Sequence, residues 1–235
     1  MIMENRDFYD DIVDKRTISD SMKLREGFSI RFRTAMDFVV DKLQFLSHEF
    51  ELENNYALID SIQHRIKSPD SILEKVDRKH LPKTRQTLFT GLHDIAGVRV
   101  ITRFISDVYT LEDMLLDQPD VRVVQRKDYI AHPKTNGYRS LHIIVSVPIY
   151  FSSGTENIDV EIQIRTIAMN FWASVEHELN YKKDIPNKDA IRADLAKTAQ
   201  DITRLDNKMD SLREDIWQQT DQDSNEGNQK KAQTK

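Results

Sequence analysis

The sequence predicts an α+β fold: a mixed sheet of about five strands with helices before, within and after it, including long N- and C-terminal helices. Three observations point there. Short stretches at 59–67, 93–101, 121–128, 138–150 and 160–166 alternate or run apolar at strand length. Two long stretches, about 21–51 and 188–218, repeat apolar residues every three to four positions, as helices with one buried face do. Turn-forming runs such as YIAHPKTNG (129–137) and FSSGTEN (151–157) punctuate the pattern.

Residues 1–20 form a polar, weakly patterned segment. The first helix carries Phe28, Phe32, Ala35, Met36, Val39, Leu43, Leu46 and Phe50 on one stripe, a core-packing pattern. In the first strand Gln63, Arg65 and Lys67 share one face, and Ile62 and Ile66 the other. Ser68-Pro69-Asp70 reads as a helix start, with Ser68 as cap and Pro69 in the first turn. On that helix Ile72, Leu73 and Val76 are the apolar stripe, while Ser71, Lys75 and Arg78 fall on a separate face. Residues 81–93 suit a short helix and loop. HDIAGVRVI (93–101) enters the second strand, where Gly97 is expected to allow a close approach or an unusual backbone angle.

A helix over about 105–116 buries Val108, Leu111 and Leu115, and VRVVQRKD (121–128) is a strand. Two strands joined by a hairpin follow. Tyr138, Ser140 and His142 share a face of the first; Glu161, Gln163 and Arg165 share the polar face of the second. After Thr166 a helix places Phe171, Val175 and Leu179 on a core stripe and leaves Asn170, His177 and Glu178 polar. In the last helix Ile202, Leu205, Met209, Leu212 and Ile216 lie close to a heptad seam, suited to pack on the domain or on a second subunit. Residues 221–235 look disordered.

Composition narrows the function. The chain has 235 residues, a net charge of −5 and no cysteine. The length suits one domain, 21–220, with helical additions. The mild acidity argues against a general nucleic-acid binder, so any phosphate-binding cations must be locally concentrated. Without cysteine there is no disulfide framework, thiolate zinc site or cysteine nucleophile. The acidic start lacks the apolar region of a signal peptide, and no apolar run is long enough to span a bilayer. A soluble, cytoplasmic protein without membrane partners is the expectation.

The chemistry concentrates in three places. Arg65, Lys67, Ser71, Lys75 and Arg78 gather cations, a hydroxyl and a helix N-terminus, the requirements of a polyphosphate site; the alternative is a solvated charged face. Asp94 and Glu161, if their strands are neighbours, could hold Mg2+, which takes one or two carboxylates together with water and phosphate oxygens. Their alternatives are a turn residue and an exposed strand carboxylate. His93-Asp94 also raises a metal-hydrolase reading, but the other histidines show no matching spacing. Tyr138 and His142, near Lys134 and Asn136, could form a base-stacking pocket, or simply an exposed aromatic face.

HRIKSPDSILEK, HDIAGVRV, NGYRSLH, VEIQIRT and AMNFWASVEHELNYK occur in this order, and on them the chain resembles the synthetase domain of RelA/SpoT alarmone enzymes, in particular the stand-alone small alarmone synthetases. The motifs cover about 55–185. The resemblance implies a nucleotidyltransferase-like fold and transfer of the β,γ-pyrophosphate of ATP to the ribose 3′-OH of GDP or GTP, giving AMP and ppGpp or pppGpp in stress signalling. It implies that Lys67, Ser71, Lys75 and Arg78 hold the ATP phosphates, that Arg65 and Arg99 sandwich the adenine, and that Asp94 and Glu161 bind Mg2+. Glu161 would also activate the 3′-OH. Tyr138 would stack on the guanine, with Lys134, His142, Gln163 and Asn170 around that nucleotide. Where relatives often carry an arginine before Asp-Tyr-Ile, this chain has Lys127, next to Arg126. Synthesis without hydrolysis and a homotetramer are the further expectations. The rivals are a nucleotide sensor without catalysis, and a nucleotidyltransferase that moves AMP, which wants two carboxylates two apart on one strand plus a third; only single carboxylates stand out at the relevant strand ends.

Overall fold

The computed structural model describes residues 22–82, 91–181 and 188–232. The expected N-terminal segment and most of the expected short helix and loop at 81–93 lie outside them, as does the Phe28 side chain. Element order is α1 (Met22–Asn54), β1 (Ile59–Ile66), α2 (Pro69–Arg78), β2 (Ala96–Thr102), α3 (Ile105–Leu116), β3 (Arg122–Asp128), β4 (Leu141–Phe151), β5 (Gly154–Thr166), α4 (Ile167–Tyr181) and α5 (Lys188–Ala232).

Among the described residues five strands form one sheet in the order β1-β2-β5-β4-β3. Only β2 and β5 run parallel; the other neighbours are antiparallel, so the sheet is mixed as expected. Strand partners share a face. One face therefore carries the row Gln63, Arg99, Gln163, His142 and Lys127, one residue from each strand. The adjacent row on that face holds Arg65, Gly97, Glu161 and Ile144. The opposite face is apolar: Val98, Ile162 and Ile143 align across it and are buried. Phe32, Ala35, Met36, Val39, Leu43 and Leu46 of α1 and Val108, Leu111 and Leu115 of α3 join the same core. One face of the sheet is thus spent on the core and the other is left for chemistry.

Several expectations need correction. β4 begins at Leu141, not Tyr138. Bonds from Lys134 N to Tyr138 O and from Tyr129 N to Ser140 O close a loop that carries Tyr138 and Ser140 ahead of the strand. β5 begins at Gly154, because Phe151 pairs with Gly154 across a two-residue turn, with Gly154 at φ 130°. On α4 the expected core residues Phe171, Val175 and Leu179 face outward, with Phe171 61% exposed, and Met169, Trp172 and Ala173 turn inward. Both stripes have helical spacing; Trp172 decides between them by packing on Ala199 and donating Nε1–H to Leu195 O at 3.1 Å. On α5 the seam residue Ile202 packs against the Trp172 cluster, whereas Leu205, Met209, Leu212 and Ile216 are largely exposed. Ala199 and Asp206 point inward instead. Helical backbone also continues to Ala232, through residues expected as a disordered tail.

The last helix is fixed by a polar and aromatic latch. Arg213 lies over the rings of Trp217, Tyr56 and Phe104 at 4.0, 4.5 and 4.7 Å and donates to the fully buried Asp107 at 2.5 Å.

Candidate active site

β1 ends where the chemistry starts. Lys67 N–H bonds Ile95 O at 2.8 Å, which ties the strand end to the approach to β2. Ser68 caps α2 as expected: its hydroxyl oxygen accepts Ser71 N–H at 3.3 Å while its own O–H donates to Ser71 Oγ at 2.9 Å. Nζ of Lys67 and Nζ of Lys75 both lie 2.5 Å from Asp94 Oδ2. Burial pushes the Asp94 carboxyl up, but the bonds and charges of the two lysines outweigh it and hold it below the ordinary carboxylate value. Asp94 Oδ1 is buried and has no hydrogen-bond partner.

A cleft of about 440 Å³ opens over this face, lined among others by Arg65, Lys67, Asp94, Arg99, Glu161 and Gln163. Arg65 and Arg99 are diagonal neighbours across the β1–β2 pair. Desolvation lowers Arg99 from its ordinary value, and the like charges of Arg165 and Arg65 add to that. Arg65 and Arg99 line the cleft, with Arg99 Nε unpartnered, and suit an anion or a flat ring. Gly97 separates them from Glu161. It has no positive φ, and a Cβ there would meet only Arg65 O at 3.8 Å, so the expected backbone constraint is absent. What glycine supplies is an open floor, since a side chain would point into the cleft. Ser71 and Arg78 do not line the cleft; both sit on the exposed side of α2.

Glu161 faces Asp94 across the parallel β2–β5 pair. Its Oε1 lies 3.4 Å from His142 Nδ1 and its Oε2 accepts Gln163 Nε2–H at 3.1 Å. Burial raises its pKa, but His142 and Gln163 outweigh burial and the nearby Asp94 charge, leaving it below the ordinary value. Two ionised carboxylates therefore share the cleft. They fit Mg2+: the donors are hard oxygens and Asp94 Oδ1 is free to ligate. Among the described residues no group of three or more His, Asp or Glu is placed to hold a metal ion.

The view that only single carboxylates stand here is corrected. Asp159 precedes Glu161 by two residues on β5, so the two share a face. Its Oδ2 lies 2.6 Å from His93 Nδ1. His93 and Asp94 are adjacent in sequence yet serve different partners, which removes the metal-hydrolase pair.

Beyond Glu161 lies an aromatic group. Tyr138 Oη is 2.8 Å from His142 Nε2 and accepts Arg165 Nη2–H at 2.5 Å. Tyr129 packs edge-on to Tyr138 and His142, and Lys134 Nζ lies 4.6 and 4.7 Å from the Tyr129 and Tyr138 ring centres. Tyr138, His142, Gln163 and Lys134 are thus brought together as expected, with Tyr129 and Arg165 as additions. Arg165 was visible in its alternation with Glu161 and Gln163; Tyr129 gave no signal, because it sits in a turn-rich loop. Asn170 is placed on α4 with its Oδ1 buried and unpartnered, and no contact joins it to the tyrosines. Lys127 pairs with His142 on the site face, whereas Arg126 turns the other way and holds Glu112 at 2.6 and 2.8 Å. Gly137, at φ 91°, is required: an added Cβ would lie 2.3 Å from Ala199 Cβ of α5.

A cationic pole, two ionised carboxylates and an aromatic pole thus lie along one sheet face. Residues 64–186 match the region found in RelA / SpoT proteins. The chain is 40% identical over 187 residues to GTP pyrophosphokinase YwaC of Bacillus subtilis, spanning 79% of this chain and 88% of that one. It is 38% identical to GTP pyrophosphokinase YjbM of the same organism over 81% of this chain and 89% of that one. The crystal structure of small alarmone synthetase 1 from Bacillus subtilis bound to its product pppGpp superposes with a TM-score of 0.74 at 37% identity, covering 83% and 98% of the two chains. The chain belongs to the RelA/SpoT family.

Proposed function

We propose that this chain is a (p)ppGpp synthetase, transferring the β,γ-pyrophosphate of ATP to the ribose 3′-OH of GDP or GTP and releasing AMP. The observation that carries the reading is the order along the sheet face: the cations, Asp94 and Glu161 of the cleft, then Tyr138 and Tyr129 beside it, joined to Glu161 through His142. A donor triphosphate and an acceptor nucleoside placed at the two ends would meet at the carboxylates.

In this reading Arg65 and Arg99 flank the adenine by guanidinium stacking. Lys67 and Lys75 leave Asp94 Oδ2 for the phosphates, and Ser71 and Arg78 reach the chain of phosphates from the exposed side of α2. The Tyr138 ring stacks on guanine after Lys134 moves aside, with His142, Gln163 and Asn170 around the nucleotide. Asp94 and Glu161 hold Mg2+, which when bound neutralises charge on the triphosphate and the departing AMP. Glu161 also accepts a hydrogen bond from the 3′-OH and aligns it for attack. As the 3′-oxygen bonds to the β-phosphorus and the bond to AMP breaks, Glu161 takes the hydroxyl proton.

The exposed Leu205, Met209 and Leu212 stripe on α5 offers a surface for assembly into a homotetramer. Among the described residues no helix is long and apolar enough to cross a membrane, and a cytoplasmic location, where ATP and guanine nucleotides are made, completes the reading. The test is incubation with ATP, GDP or GTP and Mg2+ followed by anion-exchange separation. AMP should appear in step with ppGpp or pppGpp, and ppGpp supplied alone should persist. Turnover of ATP without an alarmone peak would overturn the reading.

A further inference from the structure

Glu161 is held from both sides, and the two supports start from one residue. Arg165 is 5% exposed. Its Nη2 donates to Tyr138 Oη at 2.5 Å and to Gln163 Oε1 at 2.9 Å, while its Nε donates to Ser140 Oγ at 3.3 Å. One arm runs from Tyr138 Oη to His142 Nε2 at 2.8 Å and from His142 Nδ1 to Glu161 Oε1 at 3.4 Å. The other runs from Gln163 Nε2 to Glu161 Oε2 at 3.1 Å. The result is a closed ring of Arg165, Tyr138, His142, Glu161 and Gln163.

A guanidinium only donates and an ionised carboxylate only accepts. Tyr138 Oη accepts from Arg165. With His142 neutral and its ring proton on Nδ1 toward Glu161, the Tyr138 O–H donates to His142 Nε2. Gln163 offers its carbonyl to Arg165 and its amide to Glu161. The two carboxylate oxygens of Glu161 thus each face one anchored group, His142 and Gln163.

We propose that the Tyr138 hydroxyl is a positioning group for Glu161, acting through His142, separate from any role of the Tyr138 ring in stacking on a nucleobase. The ring and the hydroxyl of one side chain then serve two steps: the ring receives the acceptor and the hydroxyl keeps the carboxylate aligned for its 3′-OH. This inference rests on the acceptor site described under Proposed function. It differs from a binding role in its kinetic consequence, because alignment of Glu161 matters in the transition state and not in nucleotide binding.

Tyr138→Phe keeps the ring and removes the hydroxyl, so it separates the two. Losing a support of this kind costs about 10- to 100-fold. The expected result is a kcat lowered by about that factor, with the KM for GDP within about threefold of the parent enzyme. Tyr138→Ala, which removes both, should in addition raise the KM for GDP. His142→Asn, whose amide Nδ2 can replace Nδ1 toward Glu161, should retain more activity than His142→Ala. Thermal melts of all four variants exclude unfolding as the cause. A Tyr138→Phe enzyme with unchanged kcat overturns the proposal, as does one whose loss lies wholly in KM, and as does equal activity of the Asn and Ala variants at 142. If Tyr138→Ala also leaves the KM for GDP unchanged, the acceptor-site reading itself fails.

Discussion

The two poles of the cleft are built in different ways. The cationic pole comes largely from one continuous stretch: β1, the Ser68 cap and α2 follow each other over residues 59–78, and Asp94 and Arg99 join from the approach to β2 and from β2 itself. The aromatic pole gathers Tyr129, Lys134 and Tyr138 from a closed loop, His142 from β4, Gln163 and Arg165 from β5, and leans on Ala199 of α5. A pole made of consecutive residues depends on local order. A pole assembled from four places depends on the whole fold, so distant substitutions should impair use of the acceptor while sparing ATP.

The largest effect is expected at the junction of the poles. Glu161→Gln removes the charge that both ligands meet and should lower kcat by roughly 10²- to 10⁴-fold with little change in melting temperature. Near-parental turnover in steady-state assays would remove the role assigned to Glu161. Lys67→Ala acts on the cationic pole alone. Losing one charge-assisted contact of about 1.5–3 kcal/mol should weaken ATP use about 10- to 100-fold and leave the KM for GDP unchanged. A matching rise in the GDP KM would show that the poles are not separable.

Gly137→Ala probes the other pole through its support. The residue has φ 91° and its new Cβ would collide with Ala199 Cβ at 2.3 Å. Strain of about 1–3 kcal/mol should lower the melting temperature and raise the GDP KM, with ATP affinity unchanged by calorimetry. Adding Ala199→Gly should restore part of the acceptor KM, since it clears the collision.

The smallest effect is in pH. Asp94 and Glu161 are both held below their ordinary values of 3.8 and 4.5. A depressed carboxylate contributes stability above its unfolded value and loses it as pH falls through the folded one. The two should thus add no slope to melting temperature between about pH 5 and 8, and their contribution should fade only below about pH 4.5. Comparing Glu161→Gln with the parent across pH 3–8 checks this: the curves should run parallel above about pH 5 and converge below it.

How much was legible in sequence follows the same division. The alternation of Gln63, Arg65 and Lys67, the Ser68-Pro69 helix start and the Glu161, Gln163, Arg165 face are local patterns, and each is found in the fold. The pairing of β2 with β5 is not local, so the meeting of Asp94 with Glu161 could only be conditional until the register of Gly97 with Glu161 was known. The spacing of Asp159 and Glu161 is local and stands in the sequence, whereas the bond of Asp159 to His93 is a tertiary fact. Helix orientation failed for a physical reason: α4 has two candidate apolar stripes, and the choice rests on a long-range contact between Trp172 and α5. The same holds for α5, whose inward residues include Asp206 and Arg213, charged groups that periodicity assigns to solvent. Ser71 and Arg78 show the reverse: a face shared on a helix does not bring every member to the cleft edge.

The most direct test follows the phosphorus atoms. ATP labelled separately at α, β or γ is incubated with GDP and Mg2+, and the products are resolved by anion exchange. Pyrophosphate transfer predicts that β and γ labels move together into the product and that the α label stays in AMP. Movement of γ alone would mean an ordinary kinase, and movement of α would mean a nucleotidyltransferase; either would contradict the account.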